Sequence, residues 1–278
     1  MADANSTPII ANGLAYDADK TDTGAWYSGY LVANLGSMNN GPGKWVVGSD
    51  GFTYPASRTI DRSGFRALGS QAVTLYSSAD WTLAESYRHQ GNDLYFENTA
   101  TVTIDTTDYN DHTTGHTVTL EGYINAQGTA ETPLIVSGCG KVVLDSVPAN
   151  GHNNVVNGAI AVTDGATLQI NKDVVVGGSG TILLAAGATL SLPANDDKTF
   201  SVRDIVPLTL PTEGTAAIRI DGARLNLGNY EIATVASGTN VTLDPTSTAV
   251  SGRRTSLKIE NDKLVLSLSP AGTILFFR

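Results

Sequence analysis

Five potential ligands, Asp105, Asp108, Asp111, His112 and His116, fall within twelve consecutive positions. Carboxylates and imidazoles at this density could ligate Zn²⁺, and the four-residue step from His112 to His116 would put both rings on one face of a helix. Thr113-Thr114-Gly115 between them is a poor helix former, and no Glu follows His112. A polar loop is therefore the expectation for this stretch. Asp17, Asp19 and Asp22 alternate with other residues as the oxygens of a Ca²⁺ loop do, and they form a second candidate metal site. Such a loop asks for Gly where Asp22 stands and for a Glu at its twelfth position, so an acidic turn in water is the simpler expectation. A third group, Trp26, Tyr27, Tyr30 and Trp45, offers ring faces on which sugars could stack, or which simply fill a core. No Gly-x-Ser-x-Gly elbow occurs, and Gly177-Gly178-Ser179-Gly180 lacks the Lys of a phosphate loop.

Composition narrows the classes. The chain has 278 residues with 27 acidic and 17 basic side chains, a formal charge of −10. This balance repels a phosphate backbone, and Arg253-Arg254 is its one adjacent basic pair, which argues against nucleic acid as a partner. The single Cys139 excludes a disulfide within the chain and reads as a small buried side chain in a strand. No apolar run reaches the length of a transmembrane helix. The opening Met1-Ala2-Asp3-Ala4-Asn5 has neither a basic nor an apolar stretch, and it reads as a chain whose export signal has been removed.

The elements that must position these groups are β-strands. All three Trp and eight of the ten Tyr precede residue 110, which divides the chain into a loop-rich aromatic β region, 1–91, and a regular region, 92–278. Asp80 to Gln90 reads as a helix, with Asp80 as its cap and Leu83 and Tyr87 on one face. Beyond it, short alternating runs such as Thr117 to Leu120, Lys141 to Leu144 and Leu168 to Ile170 are separated by Gly, Asn, Asp and Pro. The stretch Ile160 to Ile170 superimposes on Ile182 to Leu192 at an offset of 22 residues, sharing Gly-Ala-Thr-Leu. Leu94 to Ile104, Ile218 to Leu227 and Leu257 to Leu266 fit the same strand-turn-strand template. One unit cannot bury its own apolar face, so a recurrence of this length predicts stacked coils, a β-solenoid. A β-sandwich of hairpins is the rival, because Asp164-Gly165 and Asp221-Gly222 suit a hairpin turn as well as a corner.

Two resemblances add to this reading. Leu208 to Ala216, Leu227 to Ile232 and Arg253 to Leu268 resemble the closing segment of exported bacterial surface proteins with autotransporter-associated β-strand repeats. That resemblance implies a β-helical passenger outside the cell and names no active site. Asp22-Thr23-Gly24 is similar to the tripeptide of aspartic proteases, which implies a pair of carboxylates sharing a proton. Asp105 is the candidate second carboxylate. The leading expectation is thus an extracellular or cell-surface structural or adhesive module whose partners are glycans or glycoproteins and which requires no cofactor. The alternative is an aspartic-type endopeptidase using Asp22 and Asp105 on secreted glycoproteins such as mucin. A polysaccharide-cleaving enzyme with Ca²⁺ on acidic rungs is a third, more distant reading.

Overall fold

The computed structural model describes strands at 9–11, 30–35, 44–47 and 62–67, and then residues 72–83, 92–96, 98–146, 153–200 and 204–271. Its strands form three sheets of eleven, seven and six members. One coil visits them in turn. Thr101–Asp108 lies in the eleven-stranded sheet, Thr117–Leu120 in the seven-stranded sheet and Ile124–Ala126 in the six-stranded sheet. Leu134–Ser137 then returns to lie parallel to Thr101–Asp108. Parallel neighbours one coil apart, in three sheets around one core, make a β-solenoid and leave no room for a sandwich of hairpins.

The core follows from period two. Inward residues of Thr117–Leu120, Ala159–Val162 and Thr167–Ile170 are buried and outward ones are partly exposed. In-register pairing then stacks like on like: Ile160 lies beside Ile182, Val162 beside Leu184 and Leu168 beside Leu190. Ile160, Ile182, Leu168 and Leu190 are fully buried. Each such side chain contributes about 1.5–3 kcal/mol relative to remaining in water, while its backbone is bonded to the coils on both sides. At the corner after Ala159–Val162 the chain turns through Gly165 with φ of 78°, a conformation that costs a residue with a Cβ. Asp164-Gly165 is accordingly a corner, and the strands flanking it belong to different sheets.

The repeat template catches every strand-corner-strand, whichever corner it is. Ile160 to Ile170 and Ile182 to Leu192 are equivalent, but Leu94 pairs with Ile124 in the six-stranded sheet while Ile104 pairs with Val136 in the eleven-stranded one. Ile218 pairs with Leu190, one strand on from the place the template gives it. Leu257 to Leu266 is a true hairpin, with Arg253–Glu260 antiparallel to Lys263–Pro270. Asn261 and Asp262 both have positive φ there, 50° and 60°, as the two central residues of a type I′ turn require. The period is also uneven. Successive strands of the eleven-stranded sheet pair Val102 with Leu134, Leu134 with Ile160, Ile160 with Ile182 and Ile182 with Leu208, so the coil length runs from 22 to 32 residues.

Pairing continues across residue 91. Tyr30–Leu35 and Arg62–Ala67 belong to the same sheet as Asn92–Phe96, and Lys44–Val47 pairs with Ala72–Ser77. The expected helix does not begin at Asp80. Trp81–Leu83 is a strand paired with Val118–Leu120, with Trp81 and Leu83 buried and Thr82 between them facing out. Period-two burial of an aromatic and a leucine has overridden the 3.6-residue pattern, and residues 84–91 lie outside the described set.

Candidate functional site

The coil from Thr101 to Leu120 carries the acidic cluster. Between Asp108 and Thr117 it spends eight residues on a corner that the next coil makes in three, from Ser137 to Lys141. The extra chain folds back on itself through a bridge between Thr107 and Gly115, with the Asp108 N–H donating to Thr114 O at 2.7 Å and the His116 N–H donating to Thr106 O at 2.7 Å.

Carboxylates pin this loop. Asp108 Oδ1 accepts the N–H groups of Asn110 and Asp111 at 2.7 and 2.9 Å. Its Oδ2 lies 2.8 Å from His116 Nε2, while His116 Nδ1 lies 3.3 Å from Asp80 Oδ1. An imidazole set between two carboxylates has a proton to offer each of them only in its cationic form. Asp80, expected as a helix cap, instead accepts the Thr117 N–H at 2.8 Å and ties one coil to the next. The His116 contact, followed by the backbone N–H groups of Asp111 and Asn110, holds the Asp108 carboxyl below the usual Asp range. Asp111 is held well below that range by the Thr114 hydroxyl first and then by the Thr114 and Thr113 N–H groups.

The cluster is a set of internal loop braces. Both Asp111 oxygens are engaged by Thr113 and Thr114, and His112, at φ of 55°, is turned away as an exposed side chain. Among the described residues no three His, Cys, Asp or Glu converge as metal ligands. Below the loop sits the next corner. Thr106, fully buried, donates its hydroxyl to Ser137 O at 2.8 Å and accepts the Gly140 N–H at 3.0 Å. Gly140 is required because a Cβ there would stand 2.1 Å from His116 O. Cys139 is exposed in this corner, not buried in a strand, with its Sγ 3.4 Å from Thr113 O. Its neighbours Gly138 and Gly140 make a turn here, and a turn presents its side chains to solvent.

The loop also assembles an aromatic patch on the outward face of the eleven-stranded sheet. Tyr76 and Tyr109 stand with ring centroids 5.5 Å apart, tilted by 60°, and His112 meets Tyr109 edge-on at 6.4 Å. Asp105 is the direct register partner of Tyr76. Its Oδ1 accepts the Thr107 N–H at 3.0 Å. All three of Tyr76, Asp105 and Tyr109 are partly exposed. Burial first, then the charge of Asp105 and the neighbouring Tyr109, push the Tyr76 hydroxyl up from its ordinary value; at neutral pH it is a hydrogen-bond donor, as an ordinary tyrosine is. Two tilted rings beside a carboxylate and a phenolic donor can stack on an apolar ring face while bonding its polar rim.

Sequence reasoning did not find Tyr76 and Tyr109, although Tyr76 occupies an outward position of the alternating run Val73-Thr74-Leu75-Tyr76. Of the residues it did single out, Asp17, Asp19, Asp22, Trp26 and Tyr27 lie outside the described residues. The placement of Asp22 relative to Asp105 therefore does too. Tyr30 and Trp45 fall in strands of two different sheets, opposite Arg62 and Leu75, and their side chains are outside the described set. The chain matches no protein-family model, no curated protein and no solved structure. Among the described residues no helix is long and apolar enough to cross a membrane.

Proposed function

We propose that this chain is an extracellular bacterial surface module, a β-solenoid that displays a glycan-contacting or glycoprotein-contacting face and acts structurally or adhesively. The observation that carries this reading is the Tyr76–Tyr109 pair beside Asp105, held at fixed spacing on a stack of parallel strands. Sugar rings present C–H faces that favour aromatic platforms, and their hydroxyls favour an adjacent carboxylate. A rigid scaffold suits this use because the rings lose little freedom when a ligand arrives. The low charged fraction and the resemblance of the closing segment to exported β-strand repeat proteins support the same reading.

Glycan-array screening of the whole chain, followed by calorimetry on the best ligand, tests it. Tyr76→Ala and Tyr109→Ala should each weaken binding about 3–10-fold, as loss of one stacking ring does, without change in the circular dichroism spectrum. Absence of binding to mucin-type and bacterial polysaccharides, or binding indifferent to both substitutions, would overturn it.

A further inference from the structure

We propose that the chain forms a two-fold dimer by pairing the outer edge of Arg253–Glu260 with the same edge of a second copy. This strand ends the eleven-stranded sheet; one of its edges is paired with Lys263–Pro270, and among the described residues no strand lies along the other. The type I′ turn at Asn261-Asp262 closes on Glu260 and Lys263, so the backbone groups of alternate residues back from Glu260 point at Lys263–Pro270. Those of Thr255, Leu257 and Ile259 point to the open side. An unpaired edge of this length is a template for another strand.

The charges on this strand select its partner. In antiparallel self-pairing about an axis normal to the sheet, a centre at Leu257 sets Leu257 opposite Leu257, Thr255 opposite Ile259 and Arg254 opposite Glu260, the last twice. About six backbone hydrogen bonds result. Leu257 and Ile259 are partly exposed although they pack on the core, and each would be covered by the other copy. Arg254 and Glu260 are both exposed, and neither has an ion-pair partner among the described residues; Lys263, beside Glu260, is engaged by Glu231 at 2.8 Å. A centre shifted to Ser256 sets Arg254 against Lys258, and one shifted to Lys258 sets two Lys258 side chains against each other. Like charges directly opposite are unfavourable in a sheet. A centre at Ile259 sets Lys258 against Glu260 but overlaps only three residues of the strand before the turn, whereas the Leu257 centre overlaps seven. The charges thus complement one another in the register that pairs the most backbone, and the occupant they fit is this strand itself.

Light scattering after size exclusion, across a dilution series of the whole chain, reads the result. Wild type should show a concentration-dependent dimer that weakens in high salt. Arg254→Glu and Glu260→Arg should each raise the dissociation constant about tenfold or more, since either change turns both cross-strand pairs into like charges. Mixing the two variants should restore a dimer, a heterodimer, and Arg254→Glu with Glu260→Arg in one chain should restore a homodimer. Both positions are exposed, so at concentrations below the wild-type dissociation constant, where all forms are monomeric, thermal melting of the variants should stay close to that of wild type. A wild type that stays monomeric up to its solubility limit, or a dimer unaffected by either reversal, would overturn the proposal.

Discussion

Asn154 sits in the core, 1% exposed, with every hydrogen-bonding atom in use. Its Oδ1 accepts the Ile124 N–H from the coil below at 2.8 Å, and its Nδ2 donates to Val175 O on the coil above and to Ser146 Oγ, both at 2.9 Å. Asn154→Leu keeps the volume but orphans both backbone groups, so chemical denaturation should show a loss of about 2–5 kcal/mol. The acids of the 108–116 loop make a different prediction, one about pH. Asp108 and Asp111 have folded values below the ordinary 3.8. The loop stability they confer is therefore fully present above that value and is lost as pH falls from it through the lower folded values. NMR signals of the Asn110 and Thr114 amides, both braced by these carboxylates, should broaden or shift as pH falls below the ordinary Asp range, while core amides such as Leu168 remain unchanged.

Corners decide how strands become coils, and two glycines separate the physical causes. Gly165 has φ of 78° and a new Cβ would meet nothing nearer than Gly138 O at 3.6 Å, so Gly165→Ala should cost only backbone strain, about 1–2 kcal/mol. Gly140 has the opposite problem, a Cβ that would collide with the His116 carbonyl. Gly140→Ala should cost about 3 kcal/mol and should also disturb the Asn110 amide, because the loop above rests on that contact. Equilibrium unfolding of both variants checks the order. The stacking of Ile160 on Ile182 was legible in sequence because two consecutive strand-corner-strand units there have the same spacing, with no insertion to shift the pattern. The hairpin at Leu257 to Leu266 was not distinguishable from a corner, since Asn261-Asp262 and Asp164-Gly165 carry the same local signal for positive φ. What separates them is whether the second strand pairs with the first or with the previous coil, a non-local fact. The Tyr76–Tyr109 patch was hidden for the same reason: it needs cross-coil register and a folded loop to bring together residues 33 positions apart.

As a molecule, the solenoid is a series of coils each stabilised by its neighbours, so its two ends have different needs from its middle. At the C-terminal end the chain abandons parallel winding, and Lys263–Pro270 lies antiparallel against Gly228–Ser237, with Leu264, Leu266 and Leu268 closing the core. Deleting residues 253–270 would strip that cover and leave Gly228–Ser237 as a bare edge above exposed apolar side chains. The truncated protein should aggregate on expression or show a clear rise in dye binding to apolar surface. Native-state hydrogen exchange should be slowest for amides in the coils from Leu134 to Leu190 and faster toward both ends. The unequal coil lengths have a further outcome. Because the aliphatic columns keep step whether a winding takes 22 residues or 32, the surplus is shared between a longer first strand, Thr101–Asp108 against Ala159–Val162, and the bends, and the 108–116 bend is a port at which foreign peptide could be grafted. A chain engineered there should fold with its melting behaviour nearly unchanged, provided that Asp108 and His116 remain as the two posts of the gate.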